Sequence, residues 1–135
     1  MSDTAKGPLA GYLFQFEKAL LLLMSLDNND DFVSIEDVDD IATHKHDGTV
    51  MLTAQAKHSI SISGTTFEDT SNALWRTLQI WIQKLKSNVL TDKTEFICST
   101  NKKITPDSLL NKIQKNSFED VIKHLQEILT SQKNK

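Results

Sequence analysis

The sequence predicts an α/β protein in which a central mixed sheet is flanked by helices, with the element order α-βββ-α-β-α-α. In four segments apolar residues recur at steps of three and four, which is typical of amphipathic helices. Between residues 32 and 57, and again over 94–100, apolar and β-branched residues form short alternating runs that indicate strands. A length of 135 residues suits one domain. We therefore expect a single domain over 1–135.

The composition excludes several classes of protein. The chain is 39% hydrophobic and 24% charged, which is typical of a globular protein and excludes wholesale disorder. Cys98 is the only cysteine, so no internal disulfide can form, and no cysteine and histidine cluster has zinc-finger spacing. The longest apolar run is far too short to cross a bilayer, and the first residues lack the order of a signal peptide. We expect a soluble, cytoplasmic protein with no membrane partner.

The first half of the chain predicts one helix and three antiparallel strands. Pro8 suits the first turn of the helix, because its missing N–H has no partner there. The apolar positions of this helix are expected to face the core: Leu9, Leu13, Phe16, Leu20, Leu23 and Met24. Strands follow over 32–36, near 41–44 and over 49–57. The last two are joined by a turn in which Asp47-Gly48 supplies the positive φ of a hairpin.

The second half predicts a long helix, a strand and two further helices. Thr66 with Asp69 resembles a capping box, so the long helix is expected to begin there with Phe67 in its apolar stripe. A strand follows over 94–100. Thr105-Pro106 is expected to open the third helix, and Ser117 with Asp120 the fourth. The core is expected over about 7–101 and the two C-terminal helices over about 105–130.

Charge is distributed unevenly along the chain. The net charge of −3 argues against a histone-like nucleic-acid binder. Residues 1–48, however, hold three Lys or Arg against ten Asp or Glu, whereas residues 49–135 hold twelve against eight. The acidic run between residues 30 and 40 fits either a solvated turn or a site where carboxylates collect a cation.

The strand over 49–57 places two polar side chains that can take part in catalysis on one face. Gln55 and Lys57 point the same way, roughly 7 Å apart, because side chains alternate along a strand. Asp40 lies on the neighbouring strand of the hairpin and can converge with them. Asp40, the Gln55 amide oxygen and the Ala56 carbonyl are oxygen ligands suited to Mg²⁺ or Mn²⁺. Lys57 can orient a metal-bound water or offset the charge of a phosphate.

Two choices remain open at this stage. Asp37 and Asp39 are the nearest rivals of Asp40 in the acidic run. Glu17 lies on or beside the inward stripe of the first helix, either as a border residue that reaches water or as a carboxylate turned toward the metal site.

Basic residues of the second half are candidate phosphate contacts. Lys102 and Lys103 follow the fourth strand, where they either hold a phosphate backbone or are simply solvated. His58 lies beside Lys57, is expected on the opposite face of the strand, and is a further candidate for a phosphate contact.

These residues resemble the PD-(D/E)XK nuclease superfamily. Its members place an acid in the first helix, an aspartate on the second core strand and a (Asp/Glu/Gln)-x-Lys motif on the third, which here correspond to Glu17, Asp40 and Gln55-Ala56-Lys57. Beyond these motifs, the sequence over about residues 7–101 resembles the N-terminal double-stranded-DNA endonuclease domain of bacterial antiphage effectors. The segments that carry this resemblance are 11–15, 35–41, 55–58 and 73–75.

The resemblance implies a restriction-endonuclease-like core and an Mg²⁺- or Mn²⁺-dependent deoxyribonuclease that acts on double-stranded DNA. It also implies a sensor domain or partner subunit outside this chain, and a homodimer or higher oligomer is expected because cutting both strands commonly needs two active sites. Gln55 departs from the commonest motif by replacing a carboxylate, which removes one negative charge from the metal site. The alternative is a catalytically inactive domain of the same fold that binds protein or nucleic acid.

Overall fold

A computed structural model describes residues 3–61 and 63–134 of the chain. In these residues four helices and four strands follow one another in the predicted order, so the α/β class is confirmed. Their bounds are α1 (Asp3–Met24), β1 (Phe32–Ile35), β2 (Ile41–His44), β3 (Val50–Lys57), α2 (Asn72–Lys86), β4 (Glu95–Thr100), α3 (Leu109–Lys115) and α4 (Phe118–Lys133).

The four strands form one open mixed sheet in the spatial order β1-β2-β3-β4. The first three strands are antiparallel neighbours, as predicted, and β4 lies parallel to β3. A parallel neighbour requires a crossover connection, and α2 supplies it between β3 and β4. The tight turn between β2 and β3 closes on Gly48, whose φ of +88° is the conformation that the Asp-Gly pair predicts.

Helix α1 packs on one face of the sheet, but not with the side that the sequence predicts. Phe14 and Ala19 face the sheet, and Leu22 packs beside them against Ile41 and Ala54. The six residues expected to face inward are instead exposed: Leu9, Leu13, Phe16, Leu20, Leu23 and Met24. The prediction is wrong because α1 is apolar on two sides, so periodicity alone cannot tell which side is buried.

Helix α2 packs on the other face of the sheet through Trp81, which contacts Ala42, Val50 and Leu90. Alternation along β3 predicts Val50 on the face that Leu52 and Ala54 occupy. A register shift at His44 reverses this: Thr43 pairs with Leu52, whereas His44 pairs with Val50. The extra residue is a β-bulge, and it moves Val50 to the α2 face.

Three predicted helix starts are wrong. Helix α2 begins six residues after Thr66, where the Ser71 side chain accepts a hydrogen bond from the Leu74 N–H. Phe67 lies outside any helix, with φ +55° and a fully buried ring. Helix α3 begins at Leu109, after Thr105-Pro106, and Pro8 lies inside α1 because the helix already begins at Asp3. The predicted cap at Ser117 of α4 is confirmed.

None of the helices in the described part of the chain combines the length and the apolar character needed to cross a bilayer.

Candidate active site

A pocket of about 370 Å³ opens beside the loop between β1 and β2, between the end of β3 and one side of α2. Acidic and basic side chains meet there. The acidic residues that line the pocket are Glu36, Asp37, Asp39 and Asp40, and the basic ones are Lys57, Arg76 and Lys84. Gln55 is buried and completes the lining on the β3 side.

Asp40 is bound directly to the predicted motif on β3. Its Oδ2 accepts hydrogen bonds from the Gln55 side-chain amide and, at 2.9 Å, from the Ala56 backbone N–H. The strand register explains this contact, since Ile41 pairs with Ala54 and so brings Asp40 beside Gln55 and Ala56. Lys57 lines the same pocket. The structure thus brings together Asp40, Gln55, Ala56 and Lys57.

The carboxyl group of Asp40 is held in a position that disfavours its charge. Burial raises the pKa of Asp40, and the neighbouring carboxylates of Asp39 and Glu36 raise it further. The Ala56 N–H and the Lys57 ammonium lower the pKa, but they do not overcome the burial. A cation at this point would relieve the repulsion among these carboxylates.

The Asp39 carboxylate has a structural role. Its Oδ2 accepts hydrogen bonds from Trp81 Nε1 at 2.5 Å and from Thr53 Oγ1 at 2.9 Å. Its Oδ1 accepts the Asp40 backbone N–H at 3.0 Å. Asp39 therefore ties β3, α2 and the loop together, whereas Asp37 is exposed and makes no such bonds. Of the three candidate aspartates, Asp40 is the one that contacts the β3 motif.

Helix α1 reaches this region through Gln15. Its amide Nε2 donates to Glu36 Oε1 at 2.8 Å, and its buried Oε1 has no hydrogen-bond partner among the described residues. Glu36 itself has φ +56°, and its N–H donates to the Asp40 carbonyl oxygen at 3.1 Å to close the loop. This strained geometry turns the Glu36 carboxylate toward the pocket. Sequence analysis missed Gln15 as a site residue. Its signal was visible in the sequence, because Gln15 is a glutamine in an otherwise apolar stretch of the helix.

Glu17 stays apart from the pocket. It is exposed on α1 and is not among the residues that line the cavity. The structure therefore places Glu17 as a border residue that reaches water.

The three candidate phosphate contacts also lie outside the pocket. His58 packs against Phe14 on the α1 face, with ring centroids 5.3 Å apart, so its predicted orientation opposite Lys57 is confirmed. Lys103 pairs with Thr65 through a backbone bridge, and the Lys102 ammonium lies close to Gly64. The basic segment after β4 therefore packs on the loop between β3 and α2.

Two cations of α2 line the pocket in place of these residues. Arg76 and Lys84 stand eight residues apart, with Ile80 midway, so they share one side of the helix. Sequence analysis placed neither Lys84 nor Arg76 in the site. The four-residue spacing was visible, but only the crossover geometry shows that this side of α2 faces the acidic loop.

The donor set fits a metal ion of limited affinity. No group of three His, Cys, Asp or Glu side chains in ligating geometry occurs within the described part of the chain. Asp40 Oδ1, however, takes part in no hydrogen bond within the described ranges, while Gln55 and Ala56 both donate N–H groups to Oδ2 beside it. Mg²⁺ commonly binds one or two carboxylates and keeps several waters or substrate phosphates. One available carboxylate oxygen, with water or phosphate in the remaining positions, fits this pattern.

Comparisons of the chain with protein-family models, with curated proteins and with solved structures returned no match. The chemistry open to this chain therefore follows from the pocket itself, where four carboxylates, an amide and three cations converge.

Proposed function

We propose that this chain is a metal-dependent endonuclease that hydrolyses phosphodiester bonds of double-stranded DNA. One observation carries the proposal: the Asp40 carboxylate is bonded to the Gln55-Ala56 motif in a pocket that Lys57 also lines. The element order and the mixed sheet agree with the PD-(D/E)XK core that the sequence resembles. The same resemblance supports a role as the effector domain of a bacterial antiphage system.

The pocket residues divide the work of hydrolysis. Asp40 Oδ1 and the Ala56 carbonyl would hold Mg²⁺ or Mn²⁺, with the Gln55 amide oxygen as a third ligand once that amide turns away from its hydrogen bond to Asp40 Oδ2. When bound, the metal supplies Lewis-acid activation of the phosphate. The Lys57 ammonium orients the attacking water and neutralises negative charge that develops on the phosphoryl oxygens. Arg76 and Lys84 project from α2 into the same pocket, where they bind backbone phosphates on either side of the scissile bond.

The balance of charges in the pocket supports a polyanionic substrate that arrives with its metal. Four carboxylates repel a bare phosphate, so the three cations alone do not make this an anion site. With the metal bound, Lys57, Arg76 and Lys84 face a loop whose negative charge is partly neutralised, and they can hold consecutive phosphates. We therefore expect DNA and metal to bind cooperatively, each weakly without the other.

The test is metal-dependent nicking of supercoiled plasmid by the wild type, Lys57→Ala and Lys45→Ala. Lys45 is a matched control, because it is exposed at the turn before β3, at the opposite end of that strand from Lys57. We expect nicking with Mg²⁺ or Mn²⁺ that is abolished by chelation. Lys57→Ala should lower the rate by about 100-fold or more, and Lys45→Ala should leave it unchanged.

One observation favours the inactive alternative: Gln55 donates its amide N–H to Asp40 and so does not present its oxygen to a cation. In that case the wild type would bind duplex DNA or a protein partner but would not cut in either metal. Equal cutting by the wild type and Lys57→Ala would also sink the catalytic assignment, because it would point to a contaminating nuclease.

A further inference from the structure

The outer side of α1 carries a continuous apolar surface that covers nothing in the described structure. Its central residues are half or more exposed, and Leu13 reaches 60%. We call these residues the outer seam: Leu9, Leu13, Phe16, Leu20 and Leu23. Tyr12 and Met24 flank the outer seam and are also exposed, Met24 at 76%. Monomeric proteins rarely expose apolar patches of this size without an interaction that uses them.

The spacing of the outer seam is that of a coiled coil. Its residues follow one another at steps of four, three, four and three, which is the alternation of core positions in a heptad repeat. The opposite side packs on the sheet, where Phe14 and Ala19 are buried. The helix thus uses one side to cover its own domain and presents a second, complete packing surface outward.

The outer seam is also nearly symmetric about its centre. Leu9 and Leu23 lie seven residues on either side of Phe16, and Leu13 and Leu20 lie three and four residues away. An identical helix packed in either direction therefore places Phe16 against Phe16 and leucine against leucine. Self-complementarity of this kind is what a two-fold interface between identical chains requires.

We propose that the outer seam of α1 is a dimer interface that binds the outer seam of a second copy of this chain. The available area fits this partner. With roughly 100 Å² exposed on each of the seven large apolar side chains, a copy offers on the order of 700 Å², close to the 800 Å² per partner of a standard interface.

The charge of α1 argues against a membrane surface as the partner of the outer seam. Interfacial membrane helices carry many Lys and Arg residues on their polar side. Helix α1 has only Lys6 and Lys18, and the Lys18 ammonium lies 5.0 Å from the centre of the Phe14 ring, on the sheet side. The acidic Glu17 borders the outer seam and would repel anionic lipid.

The first experiment measures the mass of the 15.2 kDa chain by light scattering and sedimentation across a concentration series. The wild type should be a dimer of about 30 kDa. The double variant Leu13→Gln/Leu20→Gln should raise the dissociation constant about 100-fold or more. Leu21→Gln is the matched control, because Leu21 is 53% exposed on α1 but lies off the outer seam, and it should remain dimeric.

Cross-linking tests the register independently of the double variant. Phe16→Cys should form an intermolecular disulfide on mild oxidation, because the seam centres meet in both helix directions, whereas Leu21→Cys should not. A wild type that stays monomeric at high micromolar concentration would overturn the proposal, as would a double variant that dimerises like the wild type. Neither readout involves nuclease activity, so the proposal does not depend on the proposed function.

Discussion

Removal of the Asp39 carboxylate is expected to destabilise the fold far more than its place in an acidic loop implies. Asp39 Oδ2 accepts hydrogen bonds from Trp81 Nε1 and Thr53 Oγ1, and Oδ1 accepts the Asp40 N–H. Trp81 is 7% exposed and Thr53 is fully buried, so neither group can turn to water when its acceptor is lost. Asp39→Ala therefore leaves two buried donors unsatisfied at once.

The magnitude follows from these two donors. A buried polar group without its partner costs about 1–3 kcal/mol, and hydrogen bonds to a charged acceptor lie toward the upper end. Asp39→Ala should accordingly lower the free energy of unfolding by about 3 kcal/mol. That is a large part of the roughly 5–15 kcal/mol that holds a domain of ordinary stability together.

Urea unfolding followed by tryptophan fluorescence and far-UV circular dichroism measures this loss. Asp37→Ala provides the matched control, because it removes the same carboxylate from an exposed position in the same loop. The control should change the unfolding free energy by less than about 0.5 kcal/mol. If Asp39→Ala costs less than about 1 kcal/mol, or no more than Asp37→Ala, then Asp39 does not bind the loop to β3 and α2 as described.

Two further predictions concern the site and the start of α2. Because burial raises the pKa of Asp40, the folded chain holds this proton to a higher pH than the unfolded chain, and stability falls as the carboxyl ionises. Asp40→Asn should therefore raise stability at pH 7, with the difference from wild type vanishing at low pH, and it should abolish nicking. An Asp40→Asn variant less stable than wild type at pH 7 would refute this. Ser71→Ala should cost about 1 kcal/mol by removing the cap of α2, whereas Thr66→Ala should cost almost nothing; equal costs in thermal unfolding would contradict the observed helix start.

The contact between Asp40 and the β3 motif was predictable because it depends on local rules. Alternation along a strand sets the shared side of Gln55 and Lys57, and the hairpin brings Asp40 near Gln55. The bulge at His44, which shifts the register by one residue, was not predicted. The separate roles of Asp39 and Asp40 were not predictable. They depend on the indole of Trp81, which arrives from a helix 42 residues away in the chain.

The errors in the helices have a different physical origin. Thr66 and Asp69 have the spacing of a capping box, but Phe67 between them is drawn into a buried cluster with Leu74 and Leu109. Burying that ring outweighs the gain from an earlier helix start, since a cap contributes about 1 kcal/mol and a buried aromatic ring more. Asp69 instead accepts a hydrogen bond from the Leu109 N–H at 2.7 Å, at the first residue of α3.

The proposed active site and the proposed dimer interface lie on opposite faces of one sheet, and this limits how they can act together. Helix α1 covers the face that Ile41 and Ala54 line, whereas the pocket opens on the α2 side with Gln55 and Lys57. A dimer formed through the outer seam therefore directs its two pockets away from each other. One such dimer cannot set both pockets on the two strands of a single site, so the expected product is a nicked circle, and linear plasmid should appear only after nicks accumulate. Rapid linear product from a seam dimer would require a second contact that brings the α2 faces together.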